Sequence, residues 1–166
     1  MKKFLAFVTL AVLAACGGGY SFTGGHVGDA KTISVDFFPN YAQIVEPQLS
    51  QNFTEALRDI FVRQTPLELV SKKGDLQFSG SIVDYSIKPI SAQASDIGKV
   101  AQNRLTITVK VSYVNTLEEK KSFDQNFNRF ADFDANVDIS EVKEELMTTI
   151  VEELAENILN QSIGSW

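Results

Sequence analysis

Few residues of this 166-residue chain are of the types that carry chemistry. It has one cysteine, Cys16, and one histidine, His26. A single cysteine excludes an intramolecular disulfide, and one cysteine with one histidine excludes the usual zinc site. A Ser-His-Asp arrangement would rest on His26. That residue sits in the stretch Thr23–Ala30, with glycines at 24, 25 and 28, where nothing holds it in a fixed geometry. Paired carboxylates, which can hydrolyse glycosides, occur at Asp132-Phe133-Asp134 and Glu152-Glu153. The glutamates adjoin Leu154 in a helical pattern and read as a solvated face. The aspartates end a strand and read as turn residues. Gly74-Asp75 and Gly80 lack the Lys-Ser or Lys-Thr of a phosphate loop. Lys72-Lys73 is a short basic turn whose attraction for anions salt would screen. No catalytic, metal or cofactor site is predicted, and the chain is read as a non-enzyme.

Cys16 has a different chemistry in view. Lys2 and Lys3 precede an apolar run from Phe4 to Leu13, interrupted only by Thr9, and Leu13-Ala14-Ala15 puts small residues before the cysteine. Basic end, apolar stretch and small-residue cleavage site are the three parts of an export signal. The run is too short to span a bilayer as a mature helix. Leu-Ala-Ala-Cys resembles the lipobox of bacterial lipoproteins. That resemblance implies cleavage before Cys16 and acyl chains on its sulfur and amine. Each buried methylene contributes about 0.8 kcal/mol, so several chains anchor firmly. Position 17 is Gly rather than Asp, which under the enteric sorting rule points to the outer membrane. The predicted layout is a signal peptide over 1–15, a lipidated cysteine and flexible tether over 16–30, and one domain over 31–166.

The whole chain carries a net charge of -6. Without Lys2 and Lys3, 13 basic residues face 21 acidic ones, a net -8. An acidic domain repels polyanions at long range, so nucleic acid is not the expected partner.

Periodicity supplies the framework. Thr32–Phe38 alternates as a strand, with Ile33, Val35 and Phe37 on one side. A helix is predicted from Pro47, at its first position, to Gln64, with Leu49, Phe53, Ala56, Leu57, Ile60 and Phe61 on one face. Thr65-Pro66 stops it. Leu67–Val70 is a short strand, Lys72–Asp75 a turn and Leu76–Ile87 a longer strand. The apolar phase of that strand changes, from Leu76, Phe78 and Ile82 to Val83, Tyr85 and Ile87, which predicts a bulge near Gly80-Ser81. Lys88–Asn103 is polar and reads as a loop. In Arg104–Val114, Leu105, Ile107, Val109, Val111 and Tyr113 share a dry face, and Thr106, Thr108, Lys110 and Ser112 a wet one. Lys121–Phe133 is a further strand, on which Phe130 and Phe133 read as out of phase with Phe123 and Phe127. The last helix runs from Ile139 to Gln161, with Asp138 and Glu141 as a capping box and a stripe of Val142, Leu146, Ile150, Leu154 and Ile158.

Two helices with one apolar stripe each can cover one apolar sheet face. The expected fold is therefore an α+β two-layer sandwich: two helices on one face of a mostly antiparallel sheet of four to five strands. Sequence neighbours tend to pair, so the strands from Leu67 onward are expected to form a meander. The wet-face residues Thr106, Thr108 and Lys110 are candidate partner contacts. The ill-fitting aromatics Phe130, Phe133 and Trp166 either anchor an interface or cap the open end of the sandwich.

The chain also resembles one family. Cys16 followed by glycine and Tyr20-Ser21-Phe22-Thr23-Gly24 is similar to the start of the lipopolysaccharide-assembly lipoproteins, the LptE family. Ser34-Val35-Asp36-Phe37-Phe38, the segment 47–64 with Leu49-Ser50 and Phe53–Asp59, and Asn103-Arg104-Leu105-Thr106-Ile107 resemble its Bacteroidetes-type members. The similarity covers nearly the whole mature chain, although the three glycines after Cys16 exceed the usual spacing. The resemblance implies the sandwich fold and a large partner, the LptD outer-membrane β-barrel. It implies a plug in that barrel's lumen, with the pair inserting lipopolysaccharide into the outer leaflet. No lipopolysaccharide-contacting residue is carried over. The expected function is thus an outer-membrane lipoprotein, held on the periplasmic side by its lipid, that serves as plug and assembly subunit of that barrel. The alternative is a free periplasmic ligand-binding lipoprotein, which should show a concave apolar pocket.

Overall fold

The computed structural model describes residues 27–90 and 101–164. The leader, Cys16, most of the tether, residues 91–100 of the expected loop, and Trp166 lie outside the described residues. In chain order the elements are β1 (Thr32–Val35), α1 (Leu49–Gln64), β2 (Glu68–Leu69), β3 (Leu76–Ile90), β4 (Gln102–Asn115), a short 3-10 turn (Glu119–Lys121), β5 (Phe123–Asp134) and α2 (Ile139–Ile163). The strands form one sheet in the order β2-β1-β3-β4-β5. β1 pairs in parallel with β2 and with β3. β3, β4 and β5 form an antiparallel meander. This is the expected α+β two-layer sandwich, with α1 and α2 packed together over one sheet face.

The meander begins one strand later than expected, because β1 lies between β2 and β3. α1 links β1 to β2, and a helical crossover delivers a parallel neighbour. The chain must then cross β1 to start β3. Gly74 marks the crossing. Its backbone N–H donates to Ser34 Oγ at 3.2 Å, and a β-carbon there would lie 2.6 Å from the backbone of Ile33 and Ser34. Asp75 secures the far side. Its Oδ2 accepts from the N–H groups of Lys31 and Thr32 and from Thr32 Oγ1, at 2.9 to 3.0 Å.

Strand β1 ends early for a local reason. The Arg58 guanidinium, reaching from α1, donates to the Val35 carbonyl at 2.7 and 3.2 Å. Phe38 N–H then donates to Thr54 Oγ1. The strand phase is lost at this point. Phe38 is buried and Phe37 is 58% exposed, the reverse of the alternation read from sequence.

The core lies between the sheet and the helices. Every predicted dry-face residue of β4, from Leu105 to Tyr113, is at most 1% exposed. Aromatic rings cross the sheet in a row: Phe61 to Phe78 (4.8 Å), Phe78 to Tyr113 (4.7 Å) and Tyr113 to Phe123 (5.1 Å between centroids). The α1 stripe is buried except for half-buried Ala56. α1 starts at Leu49, two residues after Pro47. α2 buries Ile150, Leu154 and Ile158 together with Met147 and Val151. Asp138 caps α2 by accepting from Ser140 N–H at 2.8 Å. The Asp138 carbonyl, not the Glu141 side chain, completes the turn, so the cap is present without the reciprocal half of a capping box.

The β3 bulge is real but falls at Val83, between Ile82 and Asp84. Val83 is exposed, while Ile82 and Tyr85 stay in the core. The extra residue resets the phase and keeps both halves of β3 apolar toward the helices. β3 continues to Ile90 and β4 begins at Gln102, so the pair is longer at both ends of the expected loop than periodicity indicated.

Candidate partner-binding face

The helices cover one face of the sheet. On the other, the crossing segment at Gly74 covers β1, and no described element covers β3, β4 and β5. Strand register fixes which side chains share that surface. Across β3, β4 and β5 the rows read Lys88, Arg104, Asp132; then Ser86, Thr106, Phe130; Asp84, Thr108, Asn128; Ser81, Lys110, Asn126; and Ser79, Ser112, Asp124. Three cations and three carboxylates lie among these fifteen positions. Such a surface offers hydrogen bonds and paired charges, with no single sign to steer a charged partner from afar.

The best-ordered feature is at the Lys88 end. Arg104 Nε and Nη2 donate to the two carboxylate oxygens of Asp132 at 2.7 and 2.9 Å. The same guanidinium lies over the Phe130 ring, its central carbon 3.6 Å from the centroid. A planar guanidinium serves both contacts at once, where a lysine could not. The hydrogen bond from Arg104 holds the Asp132 carboxyl below its usual range and raises the guanidinium in turn. The ring of Phe130 is thereby fixed while 47% exposed.

Sequence reasoning put Thr106, Thr108 and Lys110 on the wet face and left Phe130 as an interface anchor or a cap of the sandwich end; the register sets all four on one surface. It misplaced Phe133. That residue is 7% exposed and lies an even number of positions from Phe127, so both point at the helices. Arg104 and Asp132 were missed. Arg104 extends the wet-face spacing by one step, a signal present in the alternation. Asp132 was read as a turn residue, a role that belongs to Asp134, whose Oδ1 accepts from Asn136 N–H at 2.8 Å.

An apolar border was also missed. Ile82 N–H donates to the Pro39 carbonyl and Tyr41 N–H to the Ile82 carbonyl, both at 2.9 Å. Tyr41, 74% exposed, thus runs alongside the bulge that exposes Val83, and Ile44 and Val45 follow it on the surface.

The cavities of the described residues are open and largely polar. One groove of about 450 Å³ lies between α1 and α2, lined by Asn52, Asp59, Arg63, Glu152, Glu156 and neighbours. No group of three or more His, Cys, Asp or Glu among the described residues could hold a metal. No helix among them is long and apolar enough to cross a membrane.

The described residues form a two-layer sandwich with one face covered by helices and one polar face. The comparisons with known proteins name its kind: the model of the LptE family, lipopolysaccharide-assembly, matches residues 30–162, and the chain belongs to that family. Solved structures share the fold at low identity. A minor lipoprotein from Acinetobacter baumannii aligns with a TM-score of 0.53 at 13% identity, over 80% of this chain and 91% of that one. A hypothetical protein from Chlamydia trachomatis gives 0.55 at 10%, over 81% and 96%. Rare lipoprotein B from Shewanella oneidensis gives 0.49 at 16%, over 78% and 92%. No curated protein matches the sequence.

Proposed function

We propose that this lipopolysaccharide-assembly family member is an outer-membrane lipoprotein, lipidated at Cys16, whose open sheet face meets the lumen wall of an LptD-type β-barrel. The observation that carries the reading is the face of β3, β4 and β5, uncovered among the described residues, polar apart from Phe130 and backed by the core. A wide barrel has a polar, water-filled interior, and a plug for it needs a polar exterior on a stiff frame. Thr106, Thr108, Lys110 and Phe130, with Arg104 and Asp132, supply that exterior. A tether after Cys16 would let the domain enter the barrel from its lipid anchor, although Val27 and Ala30, at the end of the expected 16–30 stretch, already pack against the core. The protein acts by occupancy and by stabilising the barrel as lipopolysaccharide passes, without catalysis.

Photocrosslinkers at Thr106, Thr108 and Lys110, with Glu152 on α2 as the control, test the face. Capture of one large barrel protein from the three sheet positions supports the reading. Capture only from Glu152, or depletion that leaves barrel level and surface lipopolysaccharide unchanged, overturns it. A free ligand-binding lipoprotein would call for an enclosed apolar pocket, and the open polar grooves of the described residues offer that reading no support.

A further inference from the structure

Among the described residues, strand β5 is the long unpaired edge of the sheet. Its twelve residues pair with β4 on one side only. Which backbone groups are spare follows from the bonds at its ends. Ala135 N–H donates to the Ala101 carbonyl, and Asn115 N–H points toward β5, donating to Ser122 Oγ. Backbone groups of an antiparallel strand alternate sides residue by residue. The odd-numbered residues of β5 therefore bond to β4. The N–H and C=O groups of Asp124, Asn126, Asn128, Phe130 and Asp132 face outward. Arg129 Nη1 donates to the Asn128 carbonyl at 3.0 Å, a surface contact that a better-placed donor can displace. Such a row is a template for an added strand.

The side chains specify the strand that fits. The same five residues sit on the open sheet face, where Arg104 already holds the Asp132 carboxylate. Asp124 has only Ser112 opposite it on β4. Cross-strand neighbours of opposite charge are favoured, and like charges directly opposite are not. An incoming strand should thus carry lysine or arginine on this face. On its other face it would lie beside Gln125, Phe127, Arg129, Ala131 and Phe133, of which Phe127 and Phe133 are buried, so apolar residues fit against those two rings. A second copy fits poorly, since two β5 strands centred antiparallel on Asn128 set Asp124 against Asp132.

We propose that the outer edge of β5 accepts, antiparallel, an extended segment of a partner protein that alternates basic and apolar residues. This goes beyond the barrel reading and stands without it.

The probe is a short peptide alternating lysine and valine, added to the full chain in mild detergent. In antiparallel addition the residues opposite Asp124, Asn126 and Asn128 send their own N–H groups inward, and these are the lysines. N-methylation of the lysine amides should therefore weaken binding about tenfold or more, and N-methylation of the valine amides only about twofold. Exchange of the Asn126, Asn128 and Phe130 amides should slow with peptide bound, while Phe127 and Arg129 stay unchanged. Equal binding of the two methylated peptides would mean charge attraction alone and overturns the proposal. So does an absence of binding or of alternating protection.

Discussion

Gly80 of β3 lies directly against Lys110 of β4: a β-carbon at position 80 would overlap the Lys110 carbonyl oxygen and come 2.7 Å from the Phe38 ring. The backbone of Gly80 has a φ of +155°. The glycine leaves room for the ring of Phe38, which meets Phe53 edge-on at 5.1 Å. Ile82 follows two residues later, so this close approach sets the depth of the core under α1.

Gly80→Ala should therefore destabilise the domain by about 3 kcal/mol, through overlap with backbone that cannot move without breaking the β3–β4 ladder. Urea unfolding checks this. A loss under about 1 kcal/mol would mean that the strands separate more easily than the packing indicates.

The two faces of β4 should respond oppositely to charge. Val109 is fully buried, and Val109→Asp places an unpaired carboxylate among apolar groups, at a cost of about 4 kcal/mol or more. Thr108 faces outward between Asp84 and Asn128, and Thr108→Lys should change stability by less than about 0.5 kcal/mol. Equal damage from both in thermal melts would show that the open face is covered.

Acid should loosen the crossing over β1. Hydrogen bonds from Lys31 N–H, then from the Thr32 hydroxyl and N–H, hold the Asp75 carboxyl below its ordinary value of 3.8. A depressed carboxylate contributes stability that is present above its unfolded pKa and lost as pH falls through the lower folded value. Wild type should keep this contribution down to about pH 4 and lose it below. Asp75→Asn should lack it at neutral pH and show a flatter acid limb in pH-dependent unfolding. Parallel acid limbs would remove Asp75 from the crossing's support.

The Arg104 site separates binding from folding. Arg104→Lys keeps the charge but cannot hold Asp132 bidentately and cover Phe130 together. We expect crosslinking through Thr106 to fall about tenfold with little change in melting temperature, since a partly exposed ion pair contributes little to stability. Unchanged capture would place the contact elsewhere on the face.

Lipidation has its own test. The mature protein extracted from membranes should begin at Cys16 and carry acyl mass. A Cys16→Ser protein still firmly held in membranes would sink the anchor, whatever becomes of the sheet face.

Periodicity alone located most of the elements and set the facing of β4 and the two helices. The alternation from Leu105 to Tyr113 and the stripes of both helices are local patterns, set by where side chains point along a strand or helix, and each met the core as read. The residues read as an export signal and lipidation motif are an equally local pattern. What tertiary structure decided was non-local. The position of β1 between β2 and β3 depends on a crossing at Gly74, which no spacing announces. Phe38 replaced Phe37 in the core because Arg58 and Thr54, from a helix 16 or more residues away, took the backbone groups that would have continued the strand. Arg104, Phe130 and Asp132 lie up to 28 residues apart, and they meet only because the β4–β5 register sets Asp132 opposite Arg104 and Phe130 one row away. Side-chain direction is written in adjacent residues, whereas register and strand order depend on which distant surfaces pack best together.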